Sequence, residues 1–383
     1  MRPSLRIPGT KTSLKTGQLI LSCGNAGIDS ILGGGLPLGS ILLLEEDVLG
    51  DHIYGFIKYF LADGVFHKHV CAIASDGRLA VKDVLERLPP PSSLNDEVPN
   101  TSGFNGDESS TRMEIAWRYH NKAPIDPSVE SGRLGASLSA PSYDLSKTLS
   151  PEILQSVVCH TFDPMQCGIS IGTSDLYSRL VMWLKDIILN SCFLPNNKGY
   201  SLICLFKIFL TECAAANAAN VLRCCIRGFG SPMWLEPMPE SAATKRVMQT
   251  LTCLKSLVRS HNAVLMVTVS KELCHSHMIG GIRSICDYSF ELESFTGSNK
   301  KQSSLYSDYD GLLKVGRLGT ENRIAPFIPD SFEFGYALKR KKIAIDRLHL
   351  PPDLSETASR TSQATASSGM SCASNLTNAG LDF

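Results

Sequence analysis

Acidic side chains lie where an apolar segment of the chain gives way to an amphipathic one. Residues 40–45 (SILLLE) are bounded by turn residues and have the composition of a buried parallel strand. Residues 53–61 (IYGFIKYFL) are apolar at helical spacing. A strand, a loop and a helix in this order commonly bind phosphate, because the helix N-terminus offers backbone N–H donors. Here the loop contains Glu46, Asp47 and Asp51, whose carboxylates would repel a polyphosphate.

The same loop lacks the residues that nucleotide hydrolysis requires. Residues 46–52 (EDVLGDH) contain no GxxxxGK(S/T) motif, so the phosphate-cradling glycines, the lysine and the magnesium-binding hydroxyl are missing. A second magnesium carboxylate would follow a core strand. The candidate strand, residues 221–226 (VLRCCI), is followed by Arg227 and Gly228, and the next acid is Glu236. We therefore predict that this chain is not an enzyme by itself and holds no cofactor.

Histidine, cysteine and acidic residues elsewhere do not indicate a metal centre. The 13 cysteines include no C-x-x-C pair, and residues 274–277 (CHSH) have no partner cluster that would complete a zinc site. Glu45 and Glu46 are candidates for a single metal ligand, but a carboxylate pair at a strand end is usually solvated. We predict no metal site, and no nucleophile lies in a recognisable catalytic motif.

Basic residues form clusters that are candidates for nucleic-acid contact. Lys300 and Lys301 are adjacent, and Lys339, Arg340 and Lys341 lie in a predicted late strand. Lysine often protects the exposed edge of a sheet from pairing with another chain, which is one interpretation. The other is contact with RNA phosphates, and we predict these residues as the candidate RNA contacts. Strand alternation would place Lys339 and Lys341 on one face and Arg340 on the other.

The order of the apolar segments favours an α/β fold. With 383 residues, 43% of them hydrophobic, the chain is long enough for one large domain. Strand-like segments alternate with helical ones, which indicates a mainly parallel sheet. The late segments 311–318 and 334–345 are expected to pair as antiparallel strands at its edge. We predict a single domain over residues 17–350.

Several polar segments are predicted to be flexible, since chain segments poor in apolar side chains cannot bury enough surface to offset their ordering entropy. They are the basic arm 1–16, the insertions at about 89–111 and 120–150, and the disordered tail 351–383. Within the second insertion, residues 143–147 (YDLSK) are a candidate docking segment. Residues 190–220 are atypical, because they include the strongly apolar run LICLFKIFL.

Nothing in the sequence predicts secretion or membrane insertion. The first residues lack the apolar core of a signal peptide, and no stretch of ~20 uninterrupted apolar residues occurs. Basic and acidic residues number 37 each, so the net charge of +0 indicates neither a nucleic-acid nor a membrane partner. The irregularly spaced cysteines are expected to be reduced thiols.

Several segments together resemble one protein family. Residues 18–47 combine a short strand, a Gly-Ile-Asp turn and three consecutive glycines before the first core strand, as the start of a RecA-type domain does. More particular segments are 113–119 (MEIAWRY), 291–295 (ELESF), 338–342 (LKRKK) and 347–352 (RLHLPP). Together they resemble the fourth subunits of the Elongator complex. The resemblance covers residues 17–120 and 220–354, whereas residues 190–220 fit it poorly.

The resemblance implies a RecA-like fold, with a twisted and mainly parallel sheet and antiparallel edge strands, that lacks the phosphate-binding signature. It implies assembly with the fifth and sixth Elongator subunits into a hexameric ring that contains two copies of each of the three. Such a ring binds tRNA, hydrolyses ATP and attaches to the catalytic lobes formed by the first to third subunits. The complex supports 5-carboxymethyl-type modification of the wobble uridine of tRNA, and it is also linked to transcription elongation by RNA polymerase II. Radical and acetyl-transfer chemistry belongs to the third subunit, which implies a non-catalytic role for this chain. The resemblance also implies a location in cytoplasm and nucleus.

Two alternatives remain open. One is a RecA-type ATPase whose nucleotide site is shared at a subunit interface and completed by an arginine. Arg227, Arg283 and Arg317 are candidates for that arginine, because they lie near predicted strand ends or loops. In that case ATP would bind at the ring interfaces. The other alternative is a plain scaffold that makes no contact with RNA.

Overall fold

The strands of the chain form two sheets, one of them large and covered by helices. A computed structural model describes residues 7–46, 52–77, 81–92, 142–164, 176–190, 220–234, 238–298, 300, 306–320 and 322–348. Its strands are β1 (Thr10–Thr12), β2 (Leu19–Leu21), β3 (Leu36–Pro37), β4 (Ile41–Glu46), β5 (Val70–Ala74), β6 (Cys159–Phe162), β7 (Leu222–Ile226), β8 (Ala263–Ser270), β9 (Tyr288–Ser294), β10 (Gly311–Arg317), β11 (Glu333–Lys339) and β12 (Lys342–Arg347). Its α-helices are α1 (Ala26–Ile31), α2 (Ile53–Phe66), α3 (Val81–Glu86), α4 (Pro151–Gln155), α5 (Leu176–Asn190), α6 (Glu240–Arg259) and α7 (Ser276–Ile285).

The large sheet has 9 strands in the order β12-β11-β10-β9-β4-β8-β7-β5-β6. The strands from β9 to β6 run parallel to one another, whereas β10, β11 and β12 extend the sheet with antiparallel pairs. The short strands β1, β2 and β3 form a separate 3-stranded sheet. The prediction of a RecA-like α/β fold, with a mainly parallel sheet and antiparallel edge strands, is confirmed.

Helices cover both faces of the large sheet, which explains why its central strands are apolar on both sides. Side chains of β4 alternate between the faces. Leu42 and Leu44 belong to one buried cluster with residues of α1 and α2. Ile41 and Leu43 belong to another with residues of α5, α6 and α7. Every residue of β4 and β8 is buried, as expected for parallel strands between two helical layers.

The glycine turn before β4 needs glycine for two separate reasons. Gly33, Gly34 and Gly35 have φ angles of +78°, +123° and +133°, which residues with a Cβ rarely adopt. A Cβ added at Gly33 would also lie 2.8 Å from Cγ of Phe327. The turn therefore brings the chain from α1 into β3 and β4 and lets a distant segment pack directly on the backbone.

The longest described helix is amphipathic. α6 contains 20 residues and buries a single stripe that includes Val247, Leu251, Leu254 and Val258. In the part of the chain that is described, no helix is both long enough and apolar enough to span a membrane.

Parts of the segments that were expected to be flexible have defined places. Thr10–Thr12, within the predicted arm 1–16, pairs with β2 as strand β1. Residues 142–150, at the end of the predicted insertion 120–150, lie against the domain and bury Tyr143. Other predictions fall on ranges outside the described residues and stay predictions: 1–6, 93–141, 191–219 and 349–383.

Candidate functional site

The carboxyl ends of the parallel strands form the edge of the sheet where an α/β fold usually binds its ligand. We call this the carboxyl edge: the ends of β4, β5, β7, β8 and β9, and the turn between β11 and β12. The last two residues of β4, Glu45 and Glu46, are 0% and 1% exposed. The sequence-based expectation that this pair is solvated is therefore wrong.

Each carboxylate of the pair is held by a neighbouring element. Glu45 accepts two hydrogen bonds from Arg283 of α7, Nε to Oε1 and Nη2 to Oε2, both 2.7 Å long. The hydrogen bond to Glu45 raises the pKa of Arg283 above its ordinary value. Oγ1 of Thr268 on β8 donates to Oε1 of Glu46 over 2.5 Å. Because these partners come from the chain itself, both acids are stabilised without a ligand.

A second acid and base pair lies next to the first along the carboxyl edge. Ala74 of β5 is the register partner of Ile226 of β7, so the residues that follow these strands are brought together. Arg227 and Asp76 are 5% and 0% exposed, and Nη1 lies 3.4 Å from Oδ1. Oγ of Ser231 donates to Oδ2 of Asp76 over 3.3 Å.

The guanidinium of Arg227 has an aromatic neighbour but an incomplete set of hydrogen bonds. Its Cζ lies 4.5 Å from the ring centroid of Tyr54, in the first turn of α2, which is a cation–π contact. Its Nε is buried and has no hydrogen-bond partner among the described residues. The pair is thus enclosed, but its arginine is not fully satisfied.

The arginines that a shared nucleotide site would need are all engaged within the chain. Arg283 binds Glu45 and Arg227 binds Asp76. Nη1 of Arg317 donates to the carbonyl oxygen of Arg283 over 3.2 Å and also to that of Ser284. The geometry therefore gives no support to any of the three as the arginine that completes a neighbour's site.

Among the described residues, no group of three or more His, Cys, Asp or Glu side chains is placed so that it could hold a metal ion. Of the cluster at residues 274–277, Cys274 is buried. Nδ1 of His275 lies 3.5 Å from Oε1 of Glu240, in an exposed pair. These side chains therefore have separate roles within the fold.

The basic residues predicted to contact RNA form a turn rather than a strand. β11 ends at Lys339, β12 begins at Lys342, and Arg340 between them has a φ of +50°. The predicted alternation, with Lys339 and Lys341 on one face, is therefore wrong, because a hairpin reverses the chain at these residues. This turn lies on the carboxyl edge, since β11 runs parallel to β9.

Three of the predicted RNA contacts already pair with carboxylates of the chain. Nζ of Lys339 lies 2.7 Å from Oδ2 of Asp346, and Nζ of Lys341 lies 3.4 Å from Oδ2 of Asp144. Lys300, which follows β9 on the same edge, pairs with Glu293. Arg340 is exposed and has no carboxylate partner among the described residues, whereas Lys301 lies outside them.

A buried ionic network at the opposite end of β7 was not predicted. Arg223 is 0% exposed and uses all three nitrogens of its guanidinium. Nη2 donates to Oδ2 of Asp63 over 2.5 Å, Nε to Nδ1 of His69 over 3.0 Å, and Nη1 to the carbonyl oxygens of Ser22 and Phe60. The only sequence signal was a single arginine inside an apolar strand.

Burial sets the protonation of the groups around this arginine. It lowers the pKa of His69 to about 3, so the ring is neutral, accepts from Arg223 and can donate from Nε2 to the carbonyl oxygen of Pro8 at 2.8 Å. Burial raises the pKa of Asp29 to about 7. Asp29 is linked to the network through Ser22, whose hydroxyl donates to Oδ2 of Asp29 over 2.5 Å.

The network also anchors the predicted docking segment, residues 143–147. The hydroxyl of Tyr143 donates to Oδ1 of Asp63 over 2.8 Å. The backbone N–H of Leu145 donates to the carbonyl oxygen of Lys341 over 2.8 Å. This segment therefore joins the buried network to the basic turn between β11 and β12.

The chain is similar to known proteins along nearly its whole length. Residues 3–383 match the family model described as PAXNEB protein. The chain is 35% identical over 382 residues to Elongator complex protein 4 of Danio rerio, covering 97% of this chain and 91% of that protein. It is 35% identical over 379 residues to the Xenopus laevis protein of the same name, covering 93% and 86%. For the Homo sapiens protein the identity is 30% over 374 residues, covering 93% and 82%.

The matches extend over the described strands, helices and turns that place the buried acids of the carboxyl edge. The chain therefore belongs to the PAXNEB family, the family of Elongator complex protein 4.

Proposed function

We propose that this chain is a non-catalytic subunit of the Elongator complex. One observation carries the proposal: two acids of the carboxyl edge are each paired with an arginine of the chain, Glu45 with Arg283 and Asp76 with Arg227. Catalysis of phosphoryl transfer needs backbone donors and a cation directed at the phosphates, with Mg²⁺ on a hydroxyl. The loop after β4 carries neither the lysine nor the hydroxyl. The chain therefore has the fold without these phosphate-binding residues.

The role that fits this fold is assembly. Together with the fifth and sixth Elongator subunits, the chain forms a hexameric RecA-like ring that attaches to the catalytic lobes of the first to third subunits. The ring supports 5-carboxymethyl-type modification of the tRNA wobble uridine, and the complex also acts in transcription elongation. The complex works in the cytoplasm and the nucleus. ATP, where the ring uses it, belongs to the ring interfaces and not to a complete site within this chain.

The basic turn between β11 and β12 forms part of the tRNA surface, together with Lys300 and Lys301. Phosphate contacts need cations that are free to approach the RNA. Arg340 at the tip of the turn meets that condition best, since Lys339 and Lys341 are paired with Asp346 and Asp144. We therefore expect Arg340 to contribute more to RNA binding than either lysine does.

Assembly and RNA binding can be tested in one experiment. The full chain is co-expressed with the fifth and sixth Elongator subunits, and the purified complex is titrated with tRNA at several salt concentrations. We expect a ring to form, and Arg340→Ala to reduce the slope of log K against log salt by about 1. Lys339→Ala serves as the matched control and should change the slope less.

Two results would contradict the proposal at different levels. If the wild-type chain does not associate with either subunit, it is not a member of the ring. If the ring forms but Arg340→Ala binds tRNA as the wild type does at low salt, the turn is not part of the tRNA surface.

A further inference from the structure

Exposed apolar side chains are concentrated on the segment that connects β10 to β11. Ile324 is 106% exposed, Ile328 65% and Phe332 53%. Single exposed apolar residues are normal on a protein surface. Here three lie within nine residues of one another along the chain, and exposed apolar surface that is concentrated in this way commonly marks a site of protein association.

The turn between β1 and β2 extends this surface. Leu14 in that turn is 96% exposed. Its neighbour Lys15 places Nζ 5.3 Å from the ring centroid of Phe327, so the two segments are adjacent. We call Leu14, Ile324, Ile328 and Phe332 the apolar patch.

The patch lies at the edge of the sheet opposite the basic turn. β10 runs antiparallel to β9, and Arg317 at its end is the register partner of Ser289 near the start of β9. The segment after β10 therefore leaves the sheet where the parallel strands begin. The apolar patch and the candidate RNA contacts consequently face different neighbours.

The segment that carries the patch is fixed by the fold. Its Phe327 ring packs on Gly33, where a Cβ would come within 2.8 Å of Cγ. The backbone N–H of Val315 donates to the carbonyl oxygen of Phe332 over 2.8 Å, and Asp330 forms an ion pair with Arg347. A surface held in place in this way loses little conformational entropy when a partner binds.

Charges beside the patch indicate the chemistry of what covers it. Lys15 and Arg323 have no carboxylate partner among the described residues, unlike Lys300, Lys339 and Lys341. Between the two segments is a groove, lined in part by Arg323, Phe327 and Gln18. A fitting partner presents apolar side chains flanked by carboxylates.

We propose that the apolar patch is a subunit interface, covered in the assembled complex by a neighbouring ring subunit with an apolar, acid-flanked surface. This inference rests on the proposed function and adds the location of a contact. RNA is a poorer occupant, because Leu14, Ile324 and Ile328 are aliphatic, and Phe332 is the one patch side chain with a ring on which a base could stack.

The test compares two double variants of the full chain, each co-expressed with the fifth and sixth Elongator subunits. The patch variant is Ile324→Asp with Ile328→Asp. The control variant is Met182→Asp with Leu273→Asp, because both side chains are apolar and exposed, at 53% and 40%, but lie outside the patch. Sedimentation velocity of the purified mixtures reports the fraction of chain in the ring. Thermal unfolding of the isolated variants reports folding.

We expect the patch variant to fold as the wild type does and to associate at least tenfold more weakly, and the control variant to assemble normally. Lys15→Glu with Arg323→Glu should also weaken association, because the partner's carboxylates would then be repelled. Assembly of the patch variant at wild-type strength overturns the interface and leaves the proposed function intact, whereas failure of the wild type to assemble overturns both. Loss of tRNA binding with complete assembly assigns the patch to RNA, and loss only of self-association assigns it to a second copy; either result overturns the proposal.

Discussion

Arg223 near the start of β7 and Arg227 directly after its end are both buried beside an aspartate, yet their surroundings differ. Arg223, at the beginning of β7, lies 2.5 Å from Asp63 and fills every nitrogen of its guanidinium with a partner. Arg227, after the end of β7, lies 3.4 Å from Asp76, and its Nε has no partner among the described residues. At the Arg223 end of the strand every guanidinium nitrogen has a hydrogen-bond partner. At the Arg227 end one nitrogen has none among the described residues.

The difference shows which end of the sheet stabilises the fold. A buried charge costs several kcal/mol unless its hydrogen bonds are made. The Arg223 network meets that requirement and ties β2, α2, β5 and the segment 143–147 together. The carboxyl edge keeps polar groups where a related fold would bind a ligand, but here they contact one another. We interpret the first region as structural, and the second as an edge whose buried acids Glu45 and Asp76 are paired with arginines of the chain.

The largest expected effect is the loss of Arg223. Arg223→Met leaves Asp63 buried without its cation and should lower the free energy of unfolding by about 3–5 kcal/mol. Arg227→Met is the matched control and should cost roughly 1–2 kcal/mol, because its contact with Asp76 is longer and incomplete. Urea unfolding of the two variants measures both values. Equal losses would remove the distinction between the two ends of β7.

The pH dependence of stability should reveal the buried Asp29. Burial raises its folded-state pKa from 3.8 to about 7, so the fold favours the protonated acid. Its stabilising contribution is complete below about pH 4 and declines until the pH passes about 7. Asp29→Asn should therefore be more stable relative to wild type at pH 8 than at pH 4.5, by up to a few kcal/mol.

The control for this titration is Asp83→Asn, an exposed acid in the first turn of α3. Its difference from wild type should be nearly the same at both pH values. Urea unfolding at pH 4.5 and pH 8 gives the comparison. A pH-independent difference for Asp29→Asn would show that Asp29 is ionised in the fold throughout this range.

A smaller effect is expected from the docking segment. Tyr143→Phe removes the hydrogen bond to Asp63 and should cost about 1.5–3 kcal/mol, the usual range for a hydrogen bond to a charged group. Backbone amides of residues 143–147 should exchange faster with solvent. Hydrogen exchange followed by mass spectrometry checks this, with peptides from β8 as the internal reference. Unchanged exchange in the segment would mean that other contacts hold it.

The smallest effect should come from the exposed ion pair beside the basic turn. Lys339 and Asp346 have side chains that are 56% and 46% exposed, so solvent screens their attraction. Lys339→Ala should change the free energy of unfolding by less than about 0.5 kcal/mol. Urea unfolding gives the value. A loss above 1 kcal/mol would indicate that the pair belongs to a structural network.

The sequence was informative wherever a local pattern determines the structure. The three consecutive glycines predict a turn that other residues cannot form, and the apolar segment after it predicts a strand buried on both faces. The absence of a lysine and a hydroxyl from the loop after β4 can be read directly. These features depend only on residues that are adjacent in the sequence, so the sequence alone is enough to recognise them.

Contacts between distant parts of the chain could not be anticipated in the same way. Arg223 binds Asp63 and His69, and Lys341 binds Asp144, across separations that no spacing rule connects. The burial of Glu45 was missed for the same reason, because its partner Arg283 comes from α7. The basic turn was misread as a strand because lysine and arginine carry little information about turn geometry, and Arg340 adopts a φ of +50° without being glycine.

Titration of the isolated chain with Mg-ATP, followed by calorimetry, tests the central claim most directly. The claim is that the carboxyl edge is closed by its own residues and serves the fold, not a nucleotide. It predicts that the wild-type chain gives no binding heat and hydrolyses no ATP. The Asp76→Ala variant should give the same two results. Stoichiometric, saturable ATP binding by the isolated chain that is lost on Arg227→Ala would contradict it.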